Sequence, residues 1–444
     1  MEIIFTLLSC LISVIDYTIL RRIALIAAKI FTMPGRVNML NISRRTEAGG
    51  SYRNIQRVYT SPFDWLKIHW FFIHHHFFNK EGVIIMAGDE VVVSKSGKST
   101  YGIGKFFSSV FKVSIPSVSF QVLSLISVND EKSYPVYIRQ MMKPLQEEAS
   151  GTVKKSPEKG DKKEKRGRGR PKGSKNKNRK NVELSPGLIF LKEMIDSVLK
   201  TVGTDISLIY FVYDGASGNN KGVRAVLRCG MEIVGKLKYN SALYFPYKGE
   251  YSGRGPRRKY GDKIDYDNIP SEYLKKSEIE DGIRSDFYQM EMLHKLFACR
   301  LNILIIVKTN LITDKKGHIV LFSTDLNLSW DKIYKYYSLR FQIEFNFRDA
   351  KQFWGLEDFM NIKEQTVLNA ANISMLMVNI SHALRKISEF SGMSILDLKT
   401  WFRAGKYVRE TLKLLPESPD PVFIRSVIDR MAALGRINQV KEPV

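Results

Sequence analysis

Residues 151 to 180 carry 14 Lys+Arg against three acids, a net charge of +11, and almost no apolar side chain. A segment of this kind buries too little to offset its own ordering entropy, so it cannot enter a core. The folded part of the chain must therefore come from the segments on either side of it, with residues 146–182 expected as a disordered basic linker. Those flanking parts are rich enough to fold, since 44% of the 444 residues are hydrophobic. With Gly at 30 and Cys at 3, collagen-like and disulfide-scaffold classes are excluded. The whole chain carries +24 at pH 7, which points to a polyanionic partner, nucleic acid before an anionic membrane.

Cys10, Cys229 and Cys299 are isolated, so neither a zinc ribbon nor a disulfide framework is expected. The apolar opening IIFTLLSCLISVI has Glu2 before it and Asp16, Arg21 and Arg22 after it, which reads as helical core and not as a signal or a membrane span. A cytoplasmic, nucleoid-associated protein is therefore the expectation, with no membrane and no small-molecule substrate. Consecutive residues diverge on a helix or a strand, so the run His74, His75, His76 is not read as a metal site.

Composition and periodicity predict an α/β protein. Residues 1–80 read as helical, and the mixed aromatic and basic stretch SYRNIQRVYTSPFDWLKIHWFFIHHHFF leaves two readings, a small DNA-binding region or a helical cap on the main domain. Residues 81–145 turn to β pattern, in GVIIMAGDEVVV and SVSFQVLSLIS. Beyond the linker, residues 183–235 hold a helix and the strand SLIYFVYDG, which together imply an α/β sheet. Residues 236–314 read as a β-rich insertion, residues 315–395 as a returning strand followed by strong helices, and residues 396–444 as a helical tail.

Within the predicted helix SWDKIYKYYSLRFQIEFNFRDAKQFWG, Tyr337, Arg340, Glu344 and Lys351 fall on one stripe at roughly 100° per residue, about 21 Å long. Such a stripe sets a carboxylate, a guanidinium, a phenol and an amine along several backbone phosphates. Asp89 follows VIIMAG and Asp214 follows LIYFV, so each is expected at the carboxyl end of a buried strand, where open α/β sheets place their ligands. Two strand-end aspartates and a helix glutamate make an all-oxygen site for hard cations, able to hold two Mg²⁺. Asp325 also ends an apolar strand and competes with Asp214 on spacing alone, although Ser329 and Asp331 mark a helix start behind it.

The spacing of Tyr337, Arg340, Glu344 and Lys351 resembles the Tyr-Arg-Glu-Lys signature of bacterial insertion-sequence transposases of the DDE class, the IS-four-like group. GDEVVVSKSGKSTYGIG resembles the first-aspartate motif of that family and VYDGASGN the second, over roughly residues 80 to 390. The resemblance implies an RNase H-like mixed sheet flanked by helices, with the β-rich insertion between the second aspartate and the glutamate. It also implies cut-and-paste transposition with Mg²⁺, for which Mn²⁺ substitutes, two ions per site. Carried over, Asp89, Asp214 and Glu344 are the metal-binding triad, while Tyr337, Arg340 and Lys351 hold transposon-end DNA. Double-stranded DNA, both transposon ends and target, is then the partner, and a homodimer assembles on it. Phe341 departs from the Trp that the family places after its signature Arg, and the basic linker inside the catalytic domain is a second departure.

Arg168, Gly169, Arg170 and Pro171 resemble the core of an AT-hook, which lies in the narrow A·T minor groove; the alternative is a non-specific tether. In GRGPRRKYGDK, Arg254, Arg257, Arg258 and Lys259 form either a phosphate grip or a solvated turn. Two other functions stay open, a catalytically silent DNA-binding relic and a structure-specific nuclease on the same fold.

Overall fold

In the computed structural model the described residues are 2–44, 51–78, 82–108, 111–142, 179–214, 218–251, 253, 255–415 and 419–434. The basic linker lies outside them apart from residues 179–182, as do Arg168, Gly169, Arg170, Pro171 and Arg254.

Among the described residues five α-helices come first: α1 (Glu2–Leu8), α2 (Tyr17–Thr32), α3 (Met39–Ser43), α4 (Tyr52–Thr60) and α5 (Trp65–Phe77). Short polar side chains start several of them; Asp64 Oδ1, for example, accepts the Lys67 N–H at 3.2 Å at the head of α5. After them come β1 (Ile84–Ser94), β2 (Gly104–Ser108), β3 (Val113–Ser127), β4 (Lys132–Met141), α6 (Pro186–Val202), β5 (Leu208–Val212), α7 (Asn220–Leu227) and β6 (Glu232–Lys236). The insertion supplies β7 (Leu243–Pro246), β8 (Tyr260–Lys263), β9 (Leu274–Glu280), β10 (Ile283–His294) and β11 (Arg300–Asn310), and β12 (Lys316–Ser323) returns. Helices α8 (Trp330–Leu339), α9 (Gln342–Gln352), α10 (Glu364–Leu384), α11 (Ile395–Leu412) and α12 (Pro421–Ala433) close it.

The sheet is mixed, as expected of an RNase H-like fold. β4, β3 and β1 run antiparallel, β1 continues into β5 in parallel, and β5 into β6 in parallel. The insertion is not a separate β unit: β12 pairs antiparallel with β6, and β11, β10, β7 and β8 extend the same sheet outward. The burial of β1 records its surroundings. Ile84 to Gly88 are buried on both faces, and from Asp89 onward burial alternates, which marks where one face of the strand opens.

Of the two readings of residues 1–80, the packing is that of a helical cap seated on the main domain, a placement that leaves DNA binding by the same helices open. Leu20, Phe31, Ile55 and Phe72 share one apolar cluster with Phe120 of β3, Met375 of α10 and Phe402 of α11. Polar bonds lock the same contact: Asn369 Nδ2 donates to the carbonyls of Tyr59 and Ser61, each at 2.8 Å, while Trp65 Nε1 donates to Asn369 Oδ1 at 2.7 Å. A buried amide that closes the carbonyl end of α4 fixes where that helix sits. One described helix, α10, is long and apolar enough to cross a membrane, and 89% of its apolar window is buried inside the protein.

The single signature helix expected from periodicity is corrected. It divides at Arg340 and Phe341, where Arg340 N–H bonds Tyr337 O at 3.2 Å and Glu344 N–H bonds Phe341 O at 3.1 Å. These are three-residue turns, tighter than the α-helix on either side. Neither Gly nor Pro marks the joint, and both residues keep right-handed helical angles.

Candidate active site

β5 stops opposite β1 at the pair Ala87 and Val212. Two residues further on each strand stand Asp89 and Asp214, so the two acids lie level at the point where the parallel pairing ends. Asp214 thus leaves the carboxyl end of its strand as expected. Asp89 does not: it sits in the middle of β1, which continues to Ser94 against β3 alone. The side of β1 left open by the shorter β5 is what exposes the Asp89 carboxylate.

Gly88 permits this approach. A Cβ there would fall 2.9 Å from the Phe211 ring and 3.1 Å from the Tyr213 ring, so a larger residue would force these two rings to shift beside the acid. Behind Asp89, Gln121 Nε2 donates to its backbone carbonyl at 3.1 Å and Ser119 Oγ donates to Glu90. Sequence reasoning missed these supports, although the Gly immediately before an acid in a strand was a visible signal.

The tight turn between α8 and α9 stacks Tyr337 and Arg340 one above the other, since side chains three residues apart eclipse in such a turn. Arg340 then reaches across to the sheet. Its Nη1 lies 3.0 Å from Asp89 Oδ2, and its Nη2 lies 3.2 Å from Glu344 Oε1. Tyr337 lies close enough to Arg340 and Asp214 for both to act on its phenol. Tyr337, Arg340, Asp89, Asp214 and Glu344 therefore meet in one cluster at the open edge.

Electrostatics within the cluster are strongly coupled. Burial pushes the Asp89 carboxyl above its ordinary value; the Glu90 N–H and Arg340 pull it back, and Asp214 and Glu344 push it up again. Burial alone would lower the Arg340 guanidinium, but Asp89, Asp214, Tyr337 and Glu344 outweigh it and raise the value. Burial and the Asp214 charge together raise the Tyr337 phenol, which stays protonated at neutral pH. One guanidinium thus stands among three carboxylates as their shared cation.

In chemistry the donors suit a hard divalent cation, because carboxylates offer oxygen donors only and the site already draws positive charge, but their spacing is set by Arg340 and not by an ion. It is not a closed cage: among the described residues no three His, Cys, Asp or Glu side chains stand grouped closely enough to hold an ion. Glu344 is turned towards Arg340 instead.

The remaining candidates lie elsewhere. Lys351 donates to the Val92 carbonyl at 2.8 Å and pairs with Glu357 at 3.3 Å, tying α9 to the far half of β1. Asp325 sits away from the strand end that carries Asp214, because β12 runs against β5 and β6, and its Oδ2 accepts the Tyr210 hydroxyl at 2.7 Å. Arg257, Arg258 and Lys259 precede β8, six strands from β5, roughly 25–30 Å away at about 4.8 Å per strand. Their cations rest on aromatic rings, Arg257 over Tyr251 at 5.1 Å and Arg258 over Tyr247 at 4.7 Å.

A family model described as DDE superfamily endonuclease matches residues 10–289. The matched span contains Asp89 and Asp214 and ends before Tyr337, Arg340, Glu344 and Lys351. No curated protein matches the chain.

Proposed function

We propose that this chain, which belongs to the DDE superfamily of endonucleases, is the transposase of an insertion sequence. The family implies metal-dependent, nuclease-type chemistry on DNA. In the finer reading the protein binds the terminal inverted repeats of its element, cuts there, and transfers the freed 3′-hydroxyl ends to target DNA. Two protomers assemble on DNA, since concerted joining needs both ends held together, and the protein works in the cytoplasm on the nucleoid.

Asp89, Asp214 and Glu344 would hold two divalent cations, Mg²⁺ or Mn²⁺, which when bound would stabilise charge developing on the attacking and leaving oxygens. Arg340 and Tyr337, a guanidinium and a phenol at the mouth of the same cluster, would orient the scissile backbone by its phosphates. Water frees the 3′ end in the first displacement, and that hydroxyl is the nucleophile of the second. Arg257, Arg258 and Lys259, and the hook-like Arg168 to Pro171, are grips on more distant DNA. The observation that carries this reading is the meeting of both aspartates with Tyr337, Arg340 and Glu344 at one open sheet edge.

The test uses duplexes carrying the inverted repeats that flank the gene, in Mg²⁺. Transfer of a pre-cut end into plasmid supports a transposase. Nicking without transfer leaves a nuclease, and binding without either leaves a silent relic.

A further inference from the structure

From Val91 to Val128 the chain contains four lysines and not one Asp or Glu. Folded, this stretch is the far half of β1, the β2–β3 hairpin and β3 itself. Residues alternate along β2, with Phe106 and Ser108 facing inward and Lys105 and Phe107 facing out. Phe107 and Phe111 are each 63% exposed, and Val113 beside them is exposed too. At the base of the hairpin Tyr101 N–H bonds Ile362 O at 3.1 Å, which brings exposed Ile362 and Met360 alongside. Phe107, Phe111 and Val113, exposed together at the tip of the hairpin, mark an interaction surface.

Charge selects the occupant. Lys98, Lys105 and Lys112 with no intervening acid suit a polyanion, and no acid in the stretch offers a counterpart to a basic protein partner, whereas Lys95 is already bound to the Glu357 and Phe359 carbonyls. Position selects it further. Ser117 of β3 pairs with Ser94 on one side and with Gly104 on the other, while Val122 of the same strand pairs with Asp89. At about 3.3 Å per residue the base of the hairpin lies roughly 17 Å beyond Asp89, and Phe107, opposite Ser114, roughly 26 Å beyond it. That is about eight base-pair steps of duplex.

We propose that the β2–β3 hairpin is a DNA wedge: Phe107 and Phe111 enter between base steps of the duplex that lies over the active site, and Lys105 and Lys112 hold the flanking phosphates. Inserted apolar side chains unstack a step and unwind or kink the helix, which lets a bent duplex cover more protein surface. The proposal rests on the DNA-processing reading above.

Insertion changes the twist of DNA whatever its sequence, so the unknown end sequences do not matter. Full-length protein is bound to closed-circular plasmid in EDTA, relaxed with a metal-independent topoisomerase, and the linking number is read after deproteinisation. The wild type should shift the linking number in proportion to bound protein. Phe107→Ser with Phe111→Ser should lose the shift, with duplex affinity reduced about ten-fold. Both side chains are exposed, so circular dichroism should be unchanged. Lys105→Gln with Lys112→Gln should instead keep the shift at saturation and flatten the salt dependence of binding. An equal shift from wild type and the double Phe variant, or no shift from wild-type protein that binds the plasmid, overturns the wedge alone. Failure of the wild type to bind duplex at all overturns both the wedge and the transposase reading. Loss of binding to phosphatidylserine vesicles in the double Phe variant, with DNA behaviour unchanged, would make the hairpin a membrane contact and also overturn the wedge.

Discussion

Arg340 places its Nη1 3.0 Å from Asp89 Oδ2, so the residue expected to grip DNA holds a carboxylate expected to grip metal. The other arm of the guanidinium holds Glu344 at 3.2 Å. One cation cannot serve carboxylates and a phosphate at full strength together, so DNA, divalent ions and Arg340 compete for the same charges.

The competition gives a first prediction. Arg340→Gln removes the resident cation and should tighten Mn²⁺ binding to the DNA-free protein by roughly ten-fold, about 1.4 kcal/mol. Electron paramagnetic resonance titration of free Mn²⁺ reads this directly. The same variant should bind duplex more weakly. Mn²⁺ affinity equal to that of the wild type would show that Arg340 does not occupy the ion's place.

Loss of one carboxylate should remove cutting and spare the grip on DNA. Asp89→Asn, Asp214→Asn and Glu344→Gln should each lower Mg²⁺-dependent nicking of supercoiled plasmid at least about a hundred-fold. Asp325→Asn should retain it, since Asp325 is bonded to Tyr210 in the middle of β5, away from the strand end that carries Asp214. A dead Asp325 variant beside an active Asp214 variant would reverse the assignment of the second acid.

Much of this was legible in the sequence, and the misses have physical causes. Strands β1 and β5 announced themselves as apolar runs, and each delivered its acid to the same edge. Asp89 was expected at the end of its strand because hydrophobicity falls there; β1 nevertheless runs on, since β3 goes on pairing with it after β5 has stopped. The joint at Arg340 and Phe341 left no mark because a three-residue turn keeps Tyr337 and Arg340 on the same face as a helix would. Pairing of Arg340 with Asp89, 251 positions away, is tertiary and invisible to local pattern. The β-rich insertion was visible as strands, but its fusion into the main sheet depends on β12 finding β6.

Lys351 offers a separate check, because its ammonium is engaged by Val92 and Glu357. Lys351→Met keeps the apolar stem and removes both interactions, which should cost about 1 kcal/mol of stability in urea unfolding. A side chain whose sole role was to meet DNA would give no such loss. Unchanged stability together with weaker duplex binding would return Lys351 to a purely phosphate-binding role.

The last prediction concerns a buried lysine that holds α9 in place. Lys399 is 7% exposed and donates to the Ile30 carbonyl near the end of α2 at 3.0 Å and to the Phe353 carbonyl just past α9 at 3.3 Å. Burial lowers its pKa to about 8, with Arg403 pushing the same way and Asp358 opposing. In the unfolded chain the group titrates near 10.5. Below pH 8 both states carry the proton, and the desolvation cost of the folded ammonium is present in full. Between pH 8 and 10.5 the unfolded state still binds the proton and the folded state has released it, so stability rises with pH. The slope is about 1.4 kcal/mol per pH unit at most. Lys399→Met has no such group. In urea unfolding at pH 7.5, 9 and 10, the stability of the wild type relative to Lys399→Met should therefore grow by about 2 kcal/mol from the first pH to the last. Taking the difference cancels the other lysines and tyrosines that titrate in that range. A difference that stays level would mean that Lys399 keeps an ordinary pKa, and a difference that falls would mean that the folded protein holds its proton more tightly than the unfolded chain does.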